Sequence, residues 1–467
     1  MTGDSERRKR LLEGPVGATL IRLSVPMMIG IAAMLFFNVV DTFWVGQLGP
    51  AELAAMGFTF PIAMVVTNLI IGLSIGATAA IAHAIGEGHE ERVKQLATDS
   101  LILALLVVVT VSITGYLTID PLFRALGADE GTLPLIHRYM EPWYLGVGLF
   151  VVPMLANGAV RATGDTKTPA MVMVAAGLVN AVIDPIFIFG WGPVPAMGLS
   201  GAAYATVGSW IVSFSGSIYL LHYRERMLTF VLPPASRLIE SWRAMLKVGL
   251  PAAGTNLLTP LAAGAVTRIV SGHGQHAVAA YGVGTRVEGL SLIGMYAMTA
   301  AITPFVAQNL GAKHGERIKD ALRFVTKFSL LVGLGVASLL FVVADPLARI
   351  FNDDADVVHM TDLYLRIVPL SFAPYGLAIL VASFFNALDM PLKATALAAL
   401  RLVALAIPLA WLGSYLYDLA GLFFGIVAAN LIMGAAAAIY ARKVIWRLAE
   451  NLRETPEAET PVAPSDG

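Results

Sequence analysis

The stretches IGEGHEERVK (85–94) and LGAKHGERIK (310–319) carry Gly, His, Glu, Arg and Lys in the same register. Sliding the chain on itself until position 85 meets position 310 aligns more of it. Val25 and Pro26 fall on Leu250 and Pro251, and Ala54, Ala55 and Gly57 fall on Ala279, Ala280 and Gly282. Asp120, Pro121 and Arg124 fall on Asp345, Pro346 and Arg349, and Tyr139 falls on Tyr364. The register holds without a gap from Val25 to Tyr139. Apolar residues match by chance in a greasy chain, but polar loop positions do not. The chain is therefore an internal duplication.

Composition says what was duplicated. Of the 467 residues, 57% are hydrophobic and 13% charged, against about 25% charged in an ordinary soluble protein. So thin a charged shell cannot cover this much apolar surface. That excludes a soluble enzyme, a disordered chain and a nucleic-acid binder. A net charge of −1 supplies no basic field for phosphate either. With no cysteine, disulfides, thiol catalysis and cysteine-bound metals are excluded as well. What remains is an all-α integral membrane protein.

A helix needs roughly 20 apolar residues to cross the bilayer. Such runs occur near 16–45, 53–84, 95–118, 135–160, 168–189 and 198–221, then near 247–270, 278–310, 320–343, 361–386, 394–415 and 421–441. They are continuous rather than alternating, so they read as helices and not barrel strands. The expected fold is twelve transmembrane helices in two six-helix bundles. Six is even, so both halves enter the membrane in the same sense. The repeat is therefore parallel, with its axis along the membrane normal. The expected organisation is a cytoplasmic N-terminal segment (1–14), an N-terminal bundle (15–221), a cytoplasmic linker (222–246), a C-terminal bundle (247–443) and a largely disordered cytoplasmic tail (444–467).

Lys and Arg gather at the N-terminus, in the loops after even-numbered spans and in the tail; Arg92, Lys94, Arg161, Arg224, Lys319 and Lys393 are examples. The positive-inside rule then puts both termini in the cytoplasm. The basic start lacks a cleavage site, so the first span is expected to be retained. The expected location is a prokaryotic inner membrane, with the lipid bilayer as surroundings and no nucleic-acid partner.

Two six-helix halves, each with a proline in its first helix, resemble the multidrug and toxic compound extrusion (MATE) family. The resemblance covers roughly residues 15–445. It rests on RLSVPMMIG (22–30), VVDTFWVGQLG (39–49), LAAMGFTFP (53–61), NGAVRATGDT (157–166), VNAVIDPIFIFG (179–190) and GAAYAT (201–206). VGLPA (248–252), GTRVEGLSL (284–292) and VAQNLGA (306–312) extend it into the second half. The pieces look most like the prokaryotic DinF-like branch. The resemblance implies a monomer that exports small organic, often cationic, compounds, driven by inward H⁺ or Na⁺ and using no cofactor.

Carboxylates inside a bilayer are costly, by about 2.5–3.5 kcal/mol on insertion scales. Three lie well inside apolar runs: Asp41, Asp184 and Glu288. Asp41 and Asp184 sit at similar depth, roughly 9 Å below the outer interface at 1.5 Å per residue. Asn180, four residues before Asp184, shares its helix face. Asn157 and Thr206 are candidates to join them. This hard-oxygen set can take up a proton, or hold Na⁺ through Asp41, Asn180, Asp184 and Thr206. At the shift of the repeat Asp41 falls on Val266, and no acid stands near the counterpart of Asp184. Ion coupling is therefore expected in the N-terminal half alone.

Glu288 and Arg286, two residues apart on the eighth span, are candidates for contact with a cationic substrate, or for satisfaction by neighbouring helices. Met27, Phe37, Phe60, Tyr139 and Trp143 are candidates to line the cleft, because Met and aromatic side chains adapt to varied ligands. Pro26 and Pro251 each remove a helix hydrogen bond and are candidate hinges. No Walker motif appears, which argues against ATP. A flippase for lipid-linked sugars is the alternative within transport. Such a protein would gather cationic residues for pyrophosphate, and the first six spans offer few.

Overall fold

The computed structural model describes residues 2–229 and 234–454, and helices dominate them. Among the described residues the sole β pairing is an isolated bridge between Trp191 and Val194. A short helix (Thr2–Glu13) precedes the first span, Val16–Gly46, and the second follows at Pro50–Glu87. The third is Glu90–Leu117. The fourth is built from Leu133–Gly146 and Gly148–Ala162, bent by 45° between them. The fifth and sixth are Lys167–Phe189 and Leu199–Tyr219.

The seventh span, Ala235–Val270, begins well inside the stretch expected as linker, so much of 222–246 is helix. The eighth is Gln275–Ser291 and Ile293–Gly311, bent by 44°. The ninth is Gly315–Phe351, and the tenth joins Ala355–Ile367 to Phe372–Ala387 through a single 3₁₀ turn. The eleventh and twelfth form one run of helix from Pro391 broken only at Tyr417 and Asp418, whose dihedrals are not helical. Gly413 and Gly421 meet backbone to backbone across that break, so the chain doubles back there. Helix then continues to Glu454, and the remaining tail lies outside the described residues.

The bends follow the sequence. The fourth span bends where Gly146 and Gly148 flank Val147, and the tenth breaks at Val368–Ser371, the matching place in the repeat. The eighth bends between Gly289 and Gly294, where the unbroken second span has Met64 and Leu69. Glycine pairs are a recognised cause of kinks.

The two lobes meet along the second, seventh and eighth spans. The approach is backbone to backbone and nearly twofold symmetric. A Cβ on Gly86 would collide with the carbonyl of Gln308, and one on Gly311 with that of His83. Both relations are the same contact read from either half of the repeat. Gly72 faces Ala253, and Gly76 faces Met245 and Gly249. A hydrogen bond from Ser24 to the Met298 sulfur, 3.4 Å, adds to the seam. These contacts all lie in the halves of the spans nearest the termini, hereafter the terminal side. In the opposite halves, Gly57, Gly264 and Gly282 face open space. The lobes close on the terminal side and part on the far side.

An ion cluster covers part of the terminal side. Arg7 donates to Glu225 at 2.9 Å, and Arg224 pairs with Asp165 at 2.9 Å. Burial opposes charge on Asp165, but hydrogen bonds from Thr168 and the charges of Arg7 and Arg224 outweigh it and hold its carboxyl below the usual range.

The seam makes a prediction. Gly86→Leu forces the lobes apart, at a cost of about 1–3 kcal/mol typical of overpacking. Its melting temperature in detergent should fall and its transport should be lost, whereas Gly57→Leu should change neither. Equal effects of the two substitutions would contradict this arrangement of the lobes.

Candidate ion and substrate site

Asp41 is five residues from the end of the first span and Asp184 five from the end of the fifth. At 1.5 Å per residue both lie about 8 Å in from the far end. The first and fifth spans pack along each other, with Gly30 against Ala170 and Gly177 against Phe37. That packing turns the two acids toward each other, near enough for each carboxyl group to act on the other. Asn180 donates to Asp184 Oδ1 at 3.1 Å, as its four-residue spacing requires.

Tyr139 of the fourth span is near enough to feel the charge of both acids, and Thr206 of the sixth stands beside it. Asp184 is fully buried. Among the described residues, Asp41 Oδ1 and Asp184 Oδ2 have no hydrogen-bond partner. Two carboxylates in contact repel unless a proton or a cation lies between them. The donor set is hard oxygen throughout, and two of its buried oxygens are unspent. It fits a proton or Na⁺.

Asn157 is not in this cluster. It lies five residues from the opposite, terminal end of its span and accepts from Ser217 at 3.1 Å. The fourth span runs the other way from the first, which carries Asn157 away from the acids.

The residues named for the cleft are mostly packed inside the protein. Met27 is buried in the seam beside Ala170 and Ala297. Phe37 fills the groove over Gly177. Trp143 packs edge-on against Tyr144 and Trp210 within the N-terminal lobe. Tyr139 belongs to the acid cluster. Only Phe60 is open, at 62% exposure. Large side chains at these positions are taken up by helix packing before any remain for a cleft. Pro26 and Pro251 both lie inside unbroken helices. The Pro251 carbonyl accepts from Thr255 at 2.9 Å and Thr395 at 3.2 Å.

Glu288 has partners inside its own lobe. Tyr364 donates to its Oε2 at 2.6 Å, and Arg401 is near enough to act on its charge. Arg401 sits in a π-helical turn, Leu400–Ala406, of the eleventh span. Its guanidinium lies 4.4 Å over the Tyr375 ring and reaches Asn430 at 3.3 Å. Asn430 in turn donates to Ser371 at 3.0 Å. Arg286 is exposed and points elsewhere. Searching the spans for acids alone passes over Arg401, although a guanidinium seven residues into an apolar run is the same kind of signal. Tyr139 and Tyr364, equivalent in the repeat, each stand beside an intramembrane acid that comes from a different span in each lobe.

A two-lobed, duplicated bundle with a deep acid pair in one lobe defines a membrane transporter rather than an enzyme. Comparison with known proteins gives the family. Residues 26–186 and 251–412 match the family model MatE, in two stretches that begin at the paired prolines of the repeat, Pro26 and Pro251. The chain is 38% identical, over 94% of its length and 97% of the relative's, to a protein of Shewanella oneidensis named FAD transporter. It is 25% identical to YoeA of Bacillus subtilis, a probable multidrug resistance protein, over 91% of this chain and 94% of that one. The solved Vibrio cholerae MATE transporter VcmN in its bent form superposes with a TM-score of 0.89 at 31% identity, covering 97% of this chain and 100% of that one. The chain belongs to the MATE family.

The cluster's geometry sets a test. In a double-mutant cycle on ion affinity, Asn180→Ala and Asp184→Asn should couple by about 0.5–3 kcal/mol. Asn157→Ala and Asp184→Asn should add within about 0.5 kcal/mol. Coupling at Asn157 in place of Asn180 would contradict the placement.

Proposed function

We propose that the protein is an H⁺- or Na⁺-coupled antiporter that exports organic compounds across a prokaryotic inner membrane by alternating access. Basic loops argue for termini in the cytoplasm, which makes the terminal side cytoplasmic and the far-side opening external. The observation that carries the reading is the nearness of Asp41 to Asp184, with two buried carboxyl oxygens left unspent. Loading a proton or cation there removes the repulsion between two intramembrane charges. Unloading restores it. A site whose charge changes by one at each turn of the cycle can bias the first and fifth spans between two packings. Pro26, fifteen residues before Asp41 on the same span, is the proposed place for the first span to bend.

For the substrate, the likeness to a protein named FAD transporter favours a second reading beside varied organic cations. A flavin dinucleotide joins two aromatic ring systems through a pyrophosphate, so it asks for cations and flat apolar surface. Arg401 with its stack on Tyr375, and exposed Arg286, are side chains in the spans of the C-terminal lobe that fit that demand. They are proposed as the substrate-facing side of the cleft, with Glu288 holding Arg401 in place.

The test is efflux from proteoliposomes under an imposed pH gradient or Na⁺ gradient, with FAD and with a cationic dye as separate cargoes. One gradient should drive efflux, and Asp41→Asn should abolish it. Efflux of FAD lost in Arg401→Gln, with dye efflux absent, supports the dinucleotide reading. Dye efflux indifferent to Arg401→Gln supports the cation reading. Efflux driven by neither gradient, or an Asp41→Asn protein as active as wild type, would overturn the coupling.

A further inference from the structure

The ion site and the substrate reading leave the repeated loop motif unused. His, Glu, Arg and Lys recur at 89, 91, 92 and 94 and at 314, 316, 317 and 319. Each copy opens a span, the third in one lobe and the ninth in the other. In both copies the lysine folds back on the glutamate three residues before it, Lys94 on Glu91 and Lys319 on Glu316, each at 2.8 Å. The local pair is the same, and in both copies the arginine is free of it.

Both arginines cross between lobes. Arg92, in the N-terminal lobe, reaches the start of the seventh span and donates to Glu240 Oε1 at 2.9 Å and Ser241 Oγ at 3.2 Å. Arg317, in the C-terminal lobe, reaches the chain just before the first span and donates to the carbonyls of Leu11 at 3.0 Å and Gly14 at 2.8 Å. Asn309 fixes the guanidinium by accepting from its Nε at 2.9 Å, and the guanidinium lies over Phe305. In the register of the repeat, Glu240 and Ser241 correspond to Pro15 and Val16, directly after the turn that Arg317 holds. Each arginine thus reaches the entry to the first span of the opposite half, Arg92 through side chains and Arg317 through backbone carbonyls.

These bonds span the lobes only where the lobes are closed. They are charge-assisted and geometrically demanding, and they sit at the mouth rather than in the buried seam. We propose that Arg92 and Arg317 are the gate residues of the terminal side: a symmetric pair of clamps that hold that end of the cleft shut and must release for the lobes to rock. Duplication accounts for the motif surviving in both halves, because each lobe has to grip the other. The proposal rests on the alternating-access reading and not on the identity of the ion or the cargo.

The chain has no cysteine, so a single introduced thiol reports alone. Met245 is fully buried in the seam, its carbonyl against Gly76. In a Met245→Cys background, maleimide labelling should be slow. Arg92→Gln with Arg317→Gln should speed it by about tenfold or more, since hydrogen bonds to charged groups each contribute on that scale. Each single change should give part of the effect. Arg317→Lys should lie between, because an ammonium cannot hold both carbonyls in the same fork. A control thiol at Ala203→Cys, fully buried inside one lobe, should stay unlabelled throughout. Unchanged labelling at 245 in the double variant would overturn the proposal. So would a rise at 203 equal to that at 245, which would mark general loosening rather than gating. Neither readout needs substrate or gradient, so this test can fail or succeed independently of the transport assay.

Discussion

Two carboxyl groups pressed together inside a bilayer impose the constraint on which the rest of this protein depends. Each ionised acid there costs several kcal/mol on common scales, and two in contact add their mutual repulsion. Asp41 and Asp184 are close enough for that, with Asn180 satisfying one oxygen and Tyr139 and Thr206 nearby. The arrangement is tolerable with a proton or cation between the acids and unfavourable without one. A packing of the first and fifth spans that suits one state is strained in the other. Among the described residues the other lobe shows no second acid pair, and its deep acid, Glu288, is hydrogen-bonded to Tyr364 near Arg401. The duplication has thus left a deep acid pair in one half and, in the other, a single acid held in a polar cluster.

In the proposed cycle the seam would carry a local change at the acids to the whole lobe. Glycines on the second, seventh and eighth spans bring backbones into contact, so the lobes touch through rigid helix rather than through yielding side chains. Such an interface does not deform by degrees; it is either packed or parted. The near-twofold relation of Gly86 with Gln308 to Gly311 with His83 closes the terminal side. Around it sit the two arginine bridges and the ion cluster of Arg7, Arg224, Asp165 and Glu225. The far side, lacking these contacts, stands open.

Much of this was legible in the residues. The repeat could be read because its polar loop positions match, and one matched pair, Arg92 and Arg317, turns out to bridge the lobes. The deep acids could be read because hydrocarbon makes them expensive. Depth arithmetic brought Asp41 and Asp184 to one level; applied to Asn157 as well, whose span runs the opposite way, it would have set that residue apart. What one sequence does not carry is the rotation of each helix about its axis. Met27, Phe37 and Trp143 therefore read as cleft candidates although the helices turn them into packing. Tyr139 had the right chemistry for a cleft but lies at the acids. Arg401 was visible in the sequence as an intramembrane charge of the other sign. The helical start of the seventh span at Ala235 was hidden by a polar stretch that looks like linker but lies along the terminal side.

The central claim is that the charge state of the acid pair sets which side of the protein is open. The most direct measurement is the distance between spin labels at Gly57→Cys and Gly282→Cys, on the open halves of the two lobes, by double electron–electron resonance. In wild type the population of the long distance should shift when the pH or the Na⁺ concentration is changed across the range in which the site loads. In Asp184→Asn, where the pair no longer carries two charges, the distribution should stay in one state under all those conditions. A distribution in Asp184→Asn that shifts as it does in wild type would contradict the account.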